Sequence, residues 1–193
     1  IENKTEVSYD QAADRVEARQ RRRLGAITLA EGRVANPDAE AIALALLQSV
    51  REQGIDALPW SESAAALRQR ARYAGFDAIS DEALGASLED WLLPLLNGVT
   101  RLRDVPKAGL SNALDNLLGW DGKQRIEQMA PGSFTSPAGT THAIDYSAEA
   151  GPTIELRVQA LFGLDFHPTV GVDRIPLVLS LTSSGDTVNF SGN

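Results

Sequence analysis

The sequence of 193 residues has no cysteine, and it contains only two histidines. The absence of cysteine excludes disulfides and thiolate metal sites, which suits a cytoplasmic protein. Long hydrophobic runs are also lacking, because the longest, 41–47 and 91–96, fall far short of the roughly 18 to 20 apolar residues that a membrane helix requires. The first ten residues are polar and charged and do not resemble a signal peptide. We therefore expect a cytoplasmic location and no membrane segment.

Basic residues are fewer than acidic ones, and the formal net charge is −8. This excess argues against an independent nucleic-acid binder unless a basic patch offsets it locally. Residues 1–33 hold seven Lys or Arg and six Asp or Glu, residues 34–130 hold nine and fourteen, and residues 131–193 hold two and six. The basic concentration of this chain therefore lies in its first 33 residues.

The start of the sequence has the alternation of apolar and polar residues that is typical of strands. It predicts one strand over 5–10 and a long returning strand over 15–29. The alternation changes phase around Gly25, which predicts a β-bulge there. Two strands alone are rarely stable in water. We therefore expect this hairpin to be the remnant of a sheet that begins upstream, and Ile1 to be a cut edge.

The middle of the sequence predicts about five helices. Asn36-Pro37-Asp38 is typical of a helix start, with Asn as the cap and Pro at the first helical position, and Gly54 is a stop signal. A third helix carries a regular apolar stripe, and Pro94 is expected to kink or shorten its last turn. The second predicted helix runs from 61 to 73, and the third begins at residue 80. Two short helices are predicted over 111–118 and 121–130.

The end of the sequence is rich in strand patterns. It has an alternating segment over 142–147, a run that is strand-like at Thr153 and helix-like from Leu156, and an apolar run over 175–181. Because strands and helices are segregated, the predicted fold class is α+β. The expected divisions are a β-hairpin (1–33), a helical subdomain of about five helices (34–130) and a β-rich subdomain with one short helix (131–193).

Several short segments carry a family resemblance. In the last third these are Pro137-Ala-Gly139, Ile144-Asp-Tyr-Ser147, Gly151-Pro152, Val158-Gln-Ala-Leu-Phe-Gly-Leu164 and Arg174-Ile-Pro-Leu-Val-Leu179. Further matches upstream are Arg23-Leu-Gly-Ala26, Leu58-Pro-Trp-Ser-Glu62 and Leu88-Glu-Asp-Trp-Leu92. Together they resemble the carboxy-terminal region of the bacterial HrpB-type ATP-dependent helicases, in the DEAH/RHA group of superfamily 2. The family's aromatic and basic tail is not matched by residues 182–193.

The resemblance implies a parent protein with two RecA-like motor domains that use ATP and Mg²⁺. Neither a Gly-x-x-x-x-Gly-Lys-Ser/Thr loop nor an Asp-Glu-x-His box occurs in this chain, so we expect it to be non-catalytic by itself and to hold no cofactor. It implies instead an accessory region that contacts upstream helicase domains and forms a wall of the channel for single-stranded nucleic acid, expected to be RNA. The alternative is a protein-interaction module that recruits a partner protein.

The candidate nucleic-acid-binding residues are five arginines in the predicted long strand. Arginines along one strand can contact successive phosphates. Alternatively, they are solvated residues paired with Glu17, Glu31 and their neighbours, or edge-strand charges that prevent aggregation. The five are Arg15, Arg19, Arg21, Arg22 and Arg23.

Two histidine–aspartate combinations have residue types that occur in metal or catalytic sites. His142 and Asp145 are three residues apart, which on a strand directs their side chains to opposite faces. His167 lies beside Asp165, but two histidines without cysteine make a poor ligand set. No Gly-x-Ser-x-Gly nucleophile elbow is present. No catalytic or metal-binding residue is therefore predicted.

The aromatic residues have two interpretations. Trp60, Trp91 and Trp120 are expected to pack in the core, although exposed tryptophans can stack on bases. The segment 161–164 with Phe166 is either an exposed patch for a protein partner or a helix that ends at Gly163 and packs on a sheet.

Overall fold

The computed structural model describes residues 2–182 and 187–190. Strands come first, helices follow, and short strands end the chain, so the predicted α+β class is confirmed. Two compact units interleave along the sequence, one formed by 1–61 with 81–114 and the other by 62–80 with 115–193. The three divisions expected from the sequence remain predictions. None of the described helices combines the length and apolar character needed to cross a bilayer.

The first unit opens with a three-stranded antiparallel sheet in the order β1-β2-β3. Its strands are β1 (Glu2–Asp10), β2 (Arg15–Leu24) and β3 (Ile27–Arg33). The predicted single strand over 15–29 is wrong, because the chain reverses at Gly25. This glycine has a φ of +58°, a conformation that suits a tight turn.

The predicted bulge at Gly25 is likewise wrong in position. The register shift lies further along the β2–β3 pair, where Arg22 is opposite Ala30 and Arg23 is opposite Thr28. Leu29 is therefore left without an opposing residue. The change of phase in the apolar–polar alternation has two causes, the chain reversal at Gly25 and the bulge beside it. The two lie so close together that the sequence does not separate them.

Helix α1 (Ala39–Gln53) packs on β1 and β2. Its cap position is Asp38 and not the predicted Asn36, while Gly54 ends the helix with a φ of +90° as expected. The third predicted helix is divided into α3 (Asp81–Ala86), α4 (Leu88–Trp91) and a 3₁₀ turn over Leu93–Leu96. The turn contains Pro94, which confirms the predicted effect of this proline. Fully buried side chains of this unit include Leu46, Val50, Leu84, Leu88 and Leu92.

Helix α2 (Glu62–Tyr73) lies in the second unit, and α5 (Lys107–Met129) runs from the first unit into the second. The two short helices predicted here are the two halves of α5, which breaks at Gly119 with φ 62° and ψ −176°. The first half begins at Lys107, four residues before the predicted start. Arg70 of α2 donates from Nε to the carbonyl oxygen of Ala130 at 2.7 Å, which holds α2 against the end of α5.

The rest of the second unit is rich in strands. A three-stranded sheet has the order β10-β9-β6, with β6 parallel to β9 and β9 antiparallel to β10. After β6 the chain enters a 3₁₀ turn over Val158–Leu161, which confirms the predicted change from strand to short helix. Two further antiparallel pairs are β4–β5 and β7–β8. The strands are β4 (Ser133–Thr135), β5 (Thr141–Ala143), β6 (Thr153–Arg157), β7 (Thr169–Val170), β8 (Ile175–Pro176), β9 (Val178–Thr182) and β10 (Thr187–Phe190).

Two expectations concern the ends of the sequence. The cut edge expected at Ile1 lies outside the described residues. Most of the segment 182–193, where the family's tail was expected and not matched, also lies outside them.

Candidate nucleic-acid interface

All five candidate arginines lie on β2, the central strand of the first sheet. Because side chains alternate along a strand, Arg15, Arg19, Arg21 and Arg23 share one face and Arg22 lies on the other. The face of Arg22 also carries Ala18, which is buried. Along this strand the end near Arg15 lies about 30 Å from the end near Leu24, at roughly 3.3 Å per residue.

The end of β2 near Arg15 is anchored through Asp14, in the turn between β1 and β2. The backbone N–H of Leu102 donates to Asp14 Oδ1 at 3.1 Å, and Arg103 Nε lies 2.8 Å from Asp14 Oδ2. The Tyr9 hydroxyl donates to Asp14 as well. Burial, followed by the bond to Asp14, raises the pKa of Tyr9 to about 12. Val16 adds a backbone bond to the Thr100 carbonyl at 3.3 Å. This end of the sheet is therefore fixed to the helical residues of its unit.

The first group of arginines surrounds Glu17. Arg15 Nη2 lies 3.0 Å from Glu17 Oε1, Arg19 Nη2 lies 3.3 Å from Oε2, and Arg33 Nη2 lies 3.5 Å from Oε1. The hydrogen bonds from Arg15 and Arg19 hold the pKa of Glu17 below its usual value. These arginines are thus partly neutralised by the same carboxylate.

Arg21 has carboxylates on both neighbouring strands. Its Nε lies 3.2 Å from Oε1 of Glu31, which stands directly opposite it on β3, and its Nη1 lies 3.8 Å from Oε2 of Glu6 on β1. Glu31 also lies 3.8 Å from Arg19 Nη1. For Arg15, Arg19 and Arg21 the structure therefore supports the alternative of charges paired within the sheet.

Arg22 and Arg23 differ from the other three. Both are exposed, and no carboxylate among the described residues lies within 4.0 Å of either guanidinium. Lys4 on β1 is likewise exposed and has no ion pair with any described residue. The two arginines precede the β2–β3 turn, and Lys4 is opposite Arg21. The unpaired positive charge of the sheet is therefore concentrated at the end that faces away from the anchored turn.

The sequence alone does not indicate that Lys4 and Arg33 lie beside the arginines of β2 and add to the positive charge of the sheet. Arg33 stands opposite Arg19 on β3, and Lys4 stands opposite Arg21 on β1. Alternation within β2 cannot indicate either residue, because their positions depend on the register of the neighbouring strands. The turn signal at Gly25 is the local feature that indicates a third strand.

The two histidines and Asp145 each have a partner of their own. His142 Nε2 lies 2.8 Å from Thr140 Oγ1, and His167 Nε2 donates to the Leu177 carbonyl at 2.6 Å. Asp145 accepts bonds from the hydroxyl and the backbone N–H of Ser147, which hold its pKa below the usual value. In residues 2–182 and 187–190, no group of three or more His, Asp or Glu side chains is arranged to hold a metal ion.

The tryptophans do not share one environment. Trp91 is buried and donates from Nε1 to the Leu84 carbonyl at 2.9 Å, and Trp60 stacks on it with ring centroids 6.1 Å apart. Trp120, however, is 74% exposed, so its predicted place in the core is wrong. It directly follows the break at Gly119, and the helical spacing that indicated a buried face does not continue through that break.

The aromatic segment after β6 is exposed. Phe162 is 71% and Phe166 is 73% exposed, and Val158 beside them is partly exposed. The 3₁₀ turn ends at Leu161, and Gly163 has a φ of +87°. A helix packed on a sheet does not describe these two rings, because both are exposed, as the interpretation of a surface for a protein partner requires.

Known proteins resemble this chain in sequence and in fold. Residues 91–188 match the family described as ATP-dependent helicase C-terminal. The chain is 33% identical over 190 residues to the ATP-dependent RNA helicase HrpB of Escherichia coli strain K12, which covers 95% of this chain and 24% of that protein.

Two crystal structures from E. coli have the same fold over 98% of this chain, each with 32% identity. They are the DExH-box NTPase HrpB, with a TM-score of 0.70, and the DEAH/RHA helicase HrpB, with a TM-score of 0.68. This chain spans about a quarter of the length of these relatives. Because sequence identity and fold agree over nearly all of the chain, it belongs to the HrpB family of ATP-dependent helicases and corresponds to the family's carboxy-terminal region.

Proposed function

We propose that this chain is the non-catalytic accessory region of an ATP-dependent RNA helicase, and that it contacts single-stranded RNA through Arg22 and Arg23. One relative is named an ATP-dependent RNA helicase. In this proposal the chain contributes the end of a sheet to the wall of the nucleic-acid channel. The observation that carries the proposal is the difference in charge pairing along β2. An arginine that makes no ion pair can bind a phosphate without first giving one up.

ATP and Mg²⁺ act outside this chain in the proposal. The described residues do not fit a nucleotide–metal site, because no acidic or histidine cluster surrounds a cation position and the Gly-x-x-x-x-Gly-Lys-Ser/Thr loop is absent. The chain instead contacts the helicase domains that bind ATP. It acts by positioning the strand of RNA beside them.

The proposal is tested with two matched double variants of the full-length protein. Arg22→Gln with Arg23→Gln removes the unpaired charges, and Arg15→Gln with Arg19→Gln removes the same charge from the Glu17 group. Two lost phosphate contacts should weaken binding of single-stranded RNA about tenfold, at roughly 0.7 kcal/mol per contact. The slope of log K against log salt should fall by about 1.4.

The control variant should change affinity by less than the test variant at every salt concentration. The proposal is wrong if the Arg22 and Arg23 variant binds with the wild-type affinity and salt slope. It is also wrong if the two variants are equally impaired, because general charge would then explain the effect.

A second function, recruitment of a protein partner, is favoured by the exposed rings of Phe162 and Phe166. The two rings are four residues apart in one segment, and exposed apolar surface is typical of interaction sites. Phe162→Ser with Phe166→Ser should leave the thermal midpoint of the chain unchanged when it is expressed alone. If another polypeptide covers the rings, the same substitutions should lower the midpoint of the complete protein or of its complex.

A further inference from the structure

The tip of the β2–β3 hairpin, defined as residues 22–29, is unusually apolar for a turn. Leu24 is 53%, Ile27 is 64% and Leu29 is 50% exposed. Leu24 and Ile27 stand directly opposite each other, so their side chains share one face. Hairpin turns on a water-exposed surface are usually polar. Exposed aliphatic side chains that lie together at a tip indicate a surface that is covered during function.

The tip stands clear of the described remainder of its unit. A Cβ atom added at Gly25 or at Gly32 would meet no atom within 4 Å. Every residue from Arg19 to Arg33 is exposed, whereas Ala18, one position earlier on β2, is buried. The hairpin therefore projects from an anchored base, with its apolar side chains at the projecting end.

Charge beside the tip decides between the kinds of partner. Arg22 lies two residues from Leu24 and shares its face, and Arg23 lies on the opposite face. Neither has a carboxylate within 4.0 Å among the described residues. An apolar protein surface seated on the tip would bury Arg22 without a counter-ion, which is costly. The partner must supply negative charge for the arginines and an apolar surface for the tip. A nucleic acid supplies both, because its phosphates bind the guanidiniums while its base faces pack on Leu24 and Ile27.

We propose that the hairpin tip is a wedge for nucleic acid at the junction between a single strand and a duplex. Leu24 and Ile27 pack against the exposed face of the base at the junction, and Arg22 and Arg23 bind the phosphates on either side. Aliphatic side chains inserted between bases replace base stacking and open the step. The bulge that leaves Leu29 unopposed increases the local twist of the hairpin. This inference rests on the proposed RNA contact and adds to it the form of nucleic acid that is recognised.

The wedge is tested in the full-length protein with RNA that carries 2-aminopurine as the first unpaired base beside a short duplex. Unstacking of this base raises its fluorescence. The wild-type protein should produce the rise, and Leu24→Ser with Ile27→Ser should reduce it at least fivefold. Binding of unstructured single-stranded RNA should stay within twofold of wild type, because Arg22 and Arg23 are retained. Leu44→Ser is the matched control, since Leu44 is a similarly exposed leucine on α1.

The outcomes separate the wedge from the RNA contact on which it rests. If the Arg22 and Arg23 variant binds RNA normally, the proposed function is wrong. If that variant is impaired but the tip variant gives the wild-type fluorescence rise, the wedge alone is wrong. A tip variant that lowers the thermal midpoint of the complete protein without changing the fluorescence indicates docking on another part of the protein and also overturns the wedge. Ile27→Trp keeps a large apolar side chain at the tip and should retain the fluorescence rise.

Discussion

Arg21 and Arg22 are adjacent on β2, yet only Arg21 has a carboxylate partner among the described residues, with its Nε 3.2 Å from Glu31 Oε1. The difference follows from the alternation of the strand, which directs Arg21 to the face that carries Glu6 and Glu31 and Arg22 to the face of Leu24. Alternation does not explain Arg23, which shares the face of Arg21 and stands opposite Glu2, yet makes no ion pair within 4.0 Å with a described carboxylate. The run of three arginines thus contains one ion-paired residue and two that have no ion pair with the described residues.

Removal of Glu31 should strengthen RNA binding. Glu31→Gln removes the nearer of the two carboxylates beside Arg21 and leaves only Glu6, at 3.8 Å, so Arg21 should bind an additional phosphate more readily. We expect affinity for single-stranded RNA to rise about threefold, and the salt slope to increase by about 0.7 for one more contact.

The control for this prediction is Glu52→Gln, which removes the same charge from α1, where Glu52 accepts a bond from Gln48. Filter binding over a range of salt concentrations measures both variants. Equal gains in the two variants would show that net charge alone is responsible.

The alternation of residues and the helix signals were sufficient to predict the α+β class, the end of α1 at Gly54, the span of α2 to within one residue, and the effect of Pro94. Each of these depends on a few neighbouring residues. The pairing of strands depends on residues that are distant in sequence. Alternation alone therefore could not indicate that β6 pairs in parallel with β9, or that Glu31 stands opposite Arg21.

The candidate site was predicted only in part, because it too depends on both local and distant residues. The sequence indicates that five arginines lie close together, because they are close in the chain. Which of them are neutralised depends on the turn at Gly25 and on the register of β3, a strand that the sequence pattern does not distinguish from a continuation of β2. Trp120 was misplaced because the break at Gly119 changes the direction of its side chain relative to the helical stripe.

Asp14 should be important for the stability of the first unit. Asp14→Ala removes the acceptor for the Leu102 N–H and the partner of Arg103, and its φ of +45° is unfavourable for alanine. We expect a loss of about 2–3 kcal/mol in the free energy of unfolding, measured in urea. Asp14→Asn tolerates this backbone conformation and keeps an acceptor, so it should lose less. Equal losses would contradict the assigned hydrogen bonds.

Stability should decrease at alkaline pH between about pH 10 and pH 12. The pKa values of Tyr9 and Tyr146 are both raised to about 12, chiefly by burial. A raised pKa means that the folded state retains protons that the unfolded state has lost, so the stabilisation is complete below pH 10 and disappears as pH rises to 12. The contribution of Tyr9 should be the smaller of the two, because Tyr9 is less buried than Tyr146 and water screens its hydroxyl more. Chemical denaturation across this range should show a smaller decrease for Tyr9→Phe and for Tyr146→Phe than for the wild type, and an unchanged decrease would contradict the assignment.

Gly119 should tolerate no side chain. Its φ of 62° and ψ of −176° belong to a region that is nearly restricted to glycine, so Gly119→Ala should cost about 1–3 kcal/mol. Gly85 in α3 is a matched control, because it has ordinary helical geometry and open space at its Cβ position. Gly85→Ala should stabilise the protein by about 0.5–1 kcal/mol. Thermal unfolding of the two variants should therefore shift in opposite directions.

The chain expressed alone should not hydrolyse ATP, with or without RNA, because it lacks the phosphate-binding loop. A coupled assay for phosphate release measures this directly. Turnover that depends on Mg²⁺ and survives repeated purification would contradict the assignment of an accessory role.

The most direct test of the account is photo-crosslinking of the full-length protein to single-stranded RNA that contains 4-thiouridine, followed by identification of the labelled peptides. Labelling of this region should concentrate on residues 20–29 and should decrease in the Arg22→Gln, Arg23→Gln variant. Labelling that is absent from 20–29 and found instead on the segment around Phe162, or on no part of this chain, would contradict it.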